Sequence, residues 1–502
     1  MAAAVLASSM AFIDATALNV VLPALQQSLG ADGTELFWVL NAYLLMLAAL
    51  TLVGGMLGDR LGRKRVYMWG IVIFMAGSAA CGFAGSVTML ILCRVIQGAG
   101  GALMIPGSLS LISALIEEKE RGKAIGTWSA FTTTVTLGGP ILGGALADAG
   151  LWRGIFFINI PLGVASLLIL SRKVPESKAE GVGRLLDVRG ATTVALGLAL
   201  LTYGCLRIPA AGWGHWSVWG TLAAGVILLI LFIQIERRGA DPMMPLSLFA
   251  NPVFAGVNLL TFFLYAGLGA AMLFVSLDMV QVQGYSQLEA GLAFLPFTLL
   301  MIALSRESGK LADRHGPKVF LIAGPAATGV GMLLLSYVGR IHGFSGYWFS
   351  FFPGILLFGL GLSVTVSPLT ATVMGCVGRE LSGVASGINN ALSRVAGVFA
   401  NAVLGALAVV LFTGVVEQRV KGMALDQRDQ KAVVVEAAKL GDARVPEDLK
   451  KHSWDLSLEV ERAYKDGFVA VYAVVLRVTA SLAFAGSLMG ILFLKKERTL
   501  GA

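Results

Sequence analysis

Of the charges that sit inside apolar runs of this 502-residue chain, where a charge must do something, two stand out. Asp14 lies within MAAAVLASSMAFIDATALNVVLPAL. A bare carboxylate in hydrocarbon costs a few kcal/mol or more, so it is either protonated or paired. Burial favours the neutral form and a nearby cation the charged one. Such a group changes protonation when its surroundings rearrange; the alternative is a structural hydrogen-bonding acid. Arg94 is the second buried charge. On a helix Arg94, Gln97 and Gly101 fall at i, i+3 and i+7, on one face. Gly98 and Ala102 add a seam of small residues that admits a neighbouring helix. Arg94 is expected to face a cavity and sense Asp14, or to bond backbone carbonyls, and both roles are compatible.

Two further acids stand apart. Asp278 reads as a second titrating or cation-recognising group, or as an interfacial acid that reaches water. Glu307 stands between Arg306 and Lys310, where a local ion pair is the simpler expectation. Thr16 and Asn19 on the first run, and Asn389 and Asn390 near the end of the chain, either line a cavity or join helices. Gly139, Pro140, Gly143 and Gly144 would bend a helix and let it pack closely.

A conformational device is written twice. Gly54–Arg65, GGMLGDRLGRKR, and Gly309–Lys318, GKLADRHGPK, each link two apolar runs. Both read D-R-x-G, as Asp59-Arg60-Leu61-Gly62 and Asp313-Arg314-His315-Gly316. An acid at a helix end can cap a neighbouring helix or pair with an arginine in one conformation only. Gly55, Asp59, Arg60, Gly62, Arg63, Asp313 and Arg314 are the expected latch.

Enzyme chemistry finds no foothold. There is no G-x-x-x-x-G-K-[ST], no HExxH and no GxSxG. His215, His315, His342 and His452 are scattered, and Cys81, Cys93, Cys205 and Cys376 form no CxxC pair, so no metal site or disulfide framework is expected.

The elements that must position these residues are membrane helices. The chain is 56% hydrophobic and 14% charged, with mean hydropathy +0.79; a soluble chain would be about a quarter charged. A spanning helix needs roughly 20 apolar residues. Fourteen runs qualify: 2–25, 36–57, 66–85, 88–115, 124–148, 153–171, 187–207, 216–235, 252–281, 288–310, 318–338, 346–374, 382–414 and 467–494. The first lacks a basic leader and is interrupted by Asp14, so it is a membrane helix and not a signal peptide. It begins so close to residue 1 that a start slightly upstream is expected.

The net charge of +8 reports topology, not nucleic acid, because the bases fall in short links. Arg60, Arg63, Lys64, Arg65, Lys119, Arg121, Lys123, Arg172, Lys173, Arg237, Arg238, Arg314, Lys318 and Lys495 lie on one side, expected to be cytoplasmic with both termini. Residues 415–466 fall on the other side as a long charged loop, expected to be a solvated cap with a short surface helix near Gln427–Lys439. Asp59 follows the second run and Asp313 the tenth, so removing the seventh and eighth leaves two sets of six. The expected division is 1–172, an inserted pair within 173–247, and 248–502, with a site at the interface of the two sets.

Gly55-x-x-x-Asp59-Arg60-x-Gly62-Arg63-Lys64 resembles the loop motif of the major facilitator superfamily. The chain also resembles its fourteen-helix drug:proton antiporters. Asp14-Ala15-Thr16-Ala17-Leu18-Asn19 with Pro23 is similar to their first-helix signature, and Arg94-x-x-Gln97-Gly98 to their fourth-helix motif. Gly139-Pro140-x-x-Gly143-Gly144 resembles the antiporter motif of helix five, with Gly126 as its first glycine and Val135 where another glycine is usual. Trp152-Arg153 through Phe156-Phe157-Ile158-Asn159-Ile160-Pro161 is similar to the entry of helix six. Pro317 stands where the first loop copy has Arg63. The resemblance implies an all-α major facilitator fold of two six-helix bundles plus two extra central helices. It implies a monomeric carrier in a bacterial cytoplasmic membrane that exports hydrophobic compounds, cations among them, in exchange for protons. Asp14 and Arg94 would couple the proton; no cofactor beyond the proton gradient is implied. A dedicated exporter of one metabolite, lipid or self-made antibiotic is the alternative.

Overall fold

The computed structural model describes residues 1–115, 128, 131–132, 135, 138–177, 187–239, 242, 244–340, 344–377 and 382–494. The side chains at 52, 56, 59, 60, 109, 113, 114, 313, 344, 345, 382, 383, 386, 451 and 452 are left aside. Every regular element among the described residues is helical. In chain order these are α1 (Ala2–Leu29), α2 (Gly33–Leu61), α3 (Arg63–Gly82), α4 (Val87–Leu115), α5 (138–148) and α6 (Gly154–Lys173, broken at Ile158). There follow α7 (Val188–Ala211), α8 (Trp216–Arg238), and α9 (Pro252–Leu277), which continues as a π-helical turn Asp278–Val282. Next is α10, made of Gln287–Ala293 and Leu295–His315. The last four are α11 (Lys318–Ser336), α12 (Phe351–Gly375), α13 (Ser382–Val420) and α14 (Trp454–Phe493). Thirteen of the described helices are long and apolar enough to cross a membrane. The expected run 124–148 lies partly outside the described residues, and its described end is α5.

Helix ends are set by local chemistry. Gly30, at φ +66°, closes α1. The Glu35 amide donates to Asp32 at 2.7 Å and the Asp32 amide to Glu35 at 3.0 Å, a capping box that opens α2. Ser286 and Glu289 make the same box at the start of α10. The repeated D-R-x-G is visible in the backbone. Leu61 ends α2 and Gly62 follows at φ +116°; His315 ends α10 and Gly316 follows at φ +82°. Side chains rarely adopt that region, so each copy needs its glycine.

Packing falls into two groups. In the first, α4 packs on α2 and α3, and α1 on α6 and α4. In the second, α14 packs on α9 and α11, α12 on α10 and α11, and α13 on α9. The groups meet where α2 touches α13 and α1 touches α9. Phe37, Phe274 and Phe468 run through this meeting point, with centroids 6.1 and 6.3 Å apart. α7 pairs with α8 and rests on α2 and α13, along the seam of the groups. α8 leaves large apolar side chains exposed, Trp216 and Ile227 among them, as a lipid-facing helix does.

The long charged loop is shorter and better packed than expected. α13 runs to Val420 and α14 starts at Trp454, capped by Ser453. Residues near Trp454–Asp466 carry many charges yet form an amphipathic helical extension: Val460, Ala463 and Tyr464 are buried while Glu459 and Glu461 are exposed. A helix does form at Gln427–Glu436, followed by a 3-10 turn Ala437–Asp442. This segment is no freely solvated cap. Val433, Ala437 and Leu440 are buried, and the Tyr464 hydroxyl donates to the Val433 carbonyl at 2.8 Å.

Candidate functional site

α1 supplies Asp14 and α4 supplies Arg94 and Gln97, all at most 1% exposed. They close a ring. Arg94 Nη1 donates to Asp14 Oδ2 at 2.5 Å and to Gln97 Oε1 at 2.8 Å; Gln97 Nε2 donates to Asp14 Oδ1 at 2.8 Å. Both oxygens of the acid are therefore satisfied from α4. Arg94 has two other holds: Nε donates to the Val39 carbonyl at 3.3 Å, and the guanidinium lies 4.2 Å from the Tyr43 ring centroid. Arg94 thus both pairs with Asp14 and bonds a backbone carbonyl, as the two expectations for its contacts had it. Gly98 brings α4 onto α2 at this level, since a Cβ there would meet the Tyr43 carbonyl oxygen at 2.7 Å.

The ring has a chemical consequence. Protonating Asp14 removes the charge that Arg94 is paired with, but leaves Arg94 its carbonyl, its amide and its aromatic face. The cation is not stranded, so the ring can lose its ion pair while Arg94 keeps its other contacts. A buried pair without such reserves would lose several kcal/mol.

The other expected residues separate into classes. Thr16 donates to the Phe12 carbonyl at 2.8 Å and Asn19 to the Ala15 carbonyl at 3.3 Å, both within α1. Asn389 donates to Asn258 at 3.1 Å and Thr261 at 2.7 Å, which joins α13 to α9. Asn390 is exposed. Glu307 pairs with Lys310 at 2.7 Å, both more than half exposed, as the simpler expectation had it. Asp278 does not reach solvent as an interfacial acid would: it is 0% exposed in the π-helical turn. Its Oδ2 accepts from Gln283 at 3.0 Å and its Oδ1 has no partner.

The glycine-proline stretch of α5 works on two sides. Gly139 and Gly143 lie against Thr16 and Ala17 of α1. Gly144 lies against the Gln287–Leu288 backbone of α10, and Gly291 of α10 against Pro140 and Ile141. No side chain fits between these backbones, so the first and second groups touch directly here. Asp148, at the end of α5, accepts from the Gln287 and Leu288 amides at 2.8 and 2.9 Å. At the same end Gln281 donates to Gln26 at 2.8 Å, and Gln26 to the Lys439 carbonyl at 2.9 Å. This end of the bundle is closed.

At the opposite end, the side chains of Asp59, Arg60 and Asp313 lie outside the described set, as does Gly126. A Cβ at Gly55 would lie 3.8 Å from Pro106, and Arg314 is exposed. The Arg63 amide donates to the Ser177 carbonyl at 2.9 Å, and Glu176 accepts from the Lys64 and Arg65 amides at 2.9 and 3.1 Å. Glu176 thus caps the N-terminus of α3 at the loop motif; sequence reasoning missed it together with Asp148, Tyr43 and Arg394. Arg394 was legible as a base inside an apolar run; the two acids sit in ordinary polar links and gave no such signal.

A family model described as Major Facilitator Superfamily matches residues 4–401. The chain is 34% identical over 401 residues to the tetracenomycin C resistance and export protein of Streptomyces glaucescens, covering 79% of this chain and 73% of that one. It is 32% identical over 409 residues to the multidrug resistance protein Stp of Mycobacterium tuberculosis, covering 81% and 75%. Among solved structures it resembles the inward-open xylose transporter XylE of E. coli, with TM-score 0.60, 14% identity and coverage of 99% and 96%. It also resembles an inward-facing bacterial homologue of the lysosomal transporter Spinster, with TM-score 0.64, 17% identity and coverage of 100% and 98%. With matches over most of its length to one family of carriers, the chain belongs to the major facilitator superfamily and is a multi-pass membrane transporter of small molecules, not an enzyme.

Proposed function

We propose that this chain is a fourteen-helix, proton-coupled antiporter that exports drug-like compounds by alternating access. The observation that carries the reading is the buried Asp14–Arg94–Gln97 ring, an acid paired with a cation that has other partners besides the acid. Residues 1–172 and 248–502 form the two moving bundles, with the α7/α8 pair of 173–247 beside them. Both termini lie in the cytoplasm and the end bearing Asp148 faces out, in a bacterial cytoplasmic membrane. Closure at Asp148, Gly144 and Gly291 supports an inward-facing state.

In the cycle, substrate enters from the cytoplasm or inner leaflet and the bundles rock about the midplane. Substrate leaves outside, and a proton entering there neutralises Asp14 and frees it from Arg94. Asp278, buried with one amide partner, is assigned as a second proton-carrying acid. A monomer suffices and the proton gradient is the energy source. The relatives named for resistance and export of one antibiotic support a second reading, a dedicated exporter. Resistance of expressing cells to several unrelated compounds would favour the multidrug reading over it.

The test is uptake of fluorescent drug-like compounds, cationic, neutral and anionic, into inverted vesicles with an imposed pH gradient. Uptake should follow the gradient and vanish in a folded Asp14→Asn variant. Full gradient-driven uptake by that variant would remove Asp14 from the mechanism.

A further inference from the structure

α13 carries an arginine that the ring does not use. Arg394 lies twelve residues into α13 by numbering (394 − 382), so about 18 Å along it at ~1.5 Å per residue. That places it within Gly387–Val420, the part of α13 long and apolar enough to cross a membrane. The neighbouring Val395 and Val398 pack with Leu45, Ala48 and Leu198 where α13 meets α2 and α7. Arg394 itself is half-buried. Its electrostatic neighbours are two tyrosines, Tyr43 from the first group of helices and Tyr265 from the second. It therefore stands at the interface of the two moving bodies.

Among the described residues no carboxylate pairs with Arg394 and no acceptor takes a hydrogen bond from it. Asp14 is engaged by Arg94 and Gln97, and Asp278 by Gln283. Four other arginines do have company: Arg340 and Arg419 share Asp466, and Arg207 and Arg477 lie on Tyr203 and Tyr337. A guanidinium stays charged in proteins and presents five N–H donors in a fork. Held at membrane depth with no anion, it is an incomplete pair. Its natural complement is a carboxylate, sulfonate or phenolate, which a fork binds through two parallel hydrogen bonds.

We infer that Arg394 is the anion-recognition point of the substrate site, and that this carrier takes organic acids with an apolar body. The inference rests on the transporter reading above and narrows it, because it replaces the expected preference for cations with one for anions. Tyr43 ties the two functions together in space. Its ring lies on Arg94, its hydroxyl is buried without a partner, and its other charged neighbours are Asp14 and Arg394. One aromatic residue thus stands between the proton-binding ring and the substrate charge.

The test is binding, separate from flux. Purified full-length chain in zwitterionic-lipid nanodiscs is titrated with carboxyfluorescein and 1-naphthoate as anions and with tetraphenylphosphonium as cation. The wild type should bind the anions. Arg394→Gln should weaken them by about ten-fold or more, the loss of one charge-assisted pair, while cation binding is unchanged or tighter. Arg394→Lys keeps the charge without the fork and should fall between, which guards against a Gln variant that misfolds. Equal anion binding by wild type and Arg394→Gln overturns the inference, and so does a wild type that binds only the cation or neither anion. Absence of any flux in vesicles, with anion binding intact, would instead sink the exporter reading.

Discussion

Each half of the chain buries an acid and carries an arginine deep in a spanning helix, and the halves treat them in opposite ways. Asp14 and Arg94 touch, and Gln97 completes the circuit. Asp278 and Arg394, on the adjacent helices α9 and α13, each lack the other. The paired charges neutralise one another inside the protein, so the first half is electrically complete when the site is empty. The unpaired charges need something from outside, a proton for the acid and an anion for the base. On the function proposed above, the contrast would divide labour: the first half would store the coupling ion pair, and the second half would be left open for cargo.

The largest expected effect comes from breaking the closed half. Arg94→Ala leaves the Asp14 carboxylate buried with Gln97 alone and strips the face of Tyr43. Removing one member of a buried pair costs roughly 3–5 kcal/mol. Thermal unfolding in detergent should show that loss, and Asp14→Asn on top of it should restore a good part of the stability without restoring transport. A double variant no more stable than Arg94→Ala would mean that the two charges are not coupled.

Arg394 should behave the other way. Nothing in the protein is orphaned when it is removed, so Arg394→Gln is expected to be neutral in unfolding or to stabilise the chain. A loss of several kcal/mol would show that Arg394 has a structural partner in the resting protein, and the comparison of halves would fail. Stability, read this way, separates a charge that holds helices from one that waits for a ligand.

How much of this was legible in sequence follows from the same physics. Asp14 and Arg94 stood out because hydrocarbon tolerates neither alone, and 80 positions of separation did not hide that each needs a partner. The helical runs and the doubled D-R-x-G loop were legible because period and repetition survive without knowing any contact. Asp148 and Glu176 were not, because their partners are backbone amides, which every residue carries and no sequence marks. The packed state of the loop before α14 was hidden as well. Charges flanking Val433 and Leu440 read as solvation, whereas the apolar residues between them lie buried near α1 and α2. The interfacial reading of Asp278 failed for a related reason: nearness to a helix end suggested water, and the π-helical turn with Gln283 closes it in.

Asp278→Asn sharpens the contrast further. The carboxamide oxygen can keep the Gln283 hydrogen bond, so if the acid rests with its proton on, unfolding should change by about 1 kcal/mol at most. An ionised Asp278 with one amide partner would be costly to bury, and the same substitution would then stabilise the chain by several kcal/mol. Beside stability, the number of protons moved per substrate should fall in this variant. An unchanged count, with folding intact, would leave Asp278 a structural acid and Asp14 the sole carrier.

The smallest effect is expected at Glu307. It lies in a spanning helix of the second half, as Asp278 does, but its carboxylate is 56% exposed and meets Lys310 one turn away. An exposed pair of this kind contributes little to stability. Glu307→Gln should therefore leave unfolding, binding and gradient-driven uptake where they are. If it abolished transport instead, exposure would not be the property that separates working acids from idle ones in this chain. The division into a closed half and an open half would then have to be redrawn around the end of α10, where Glu307 sits six residues before Asp313.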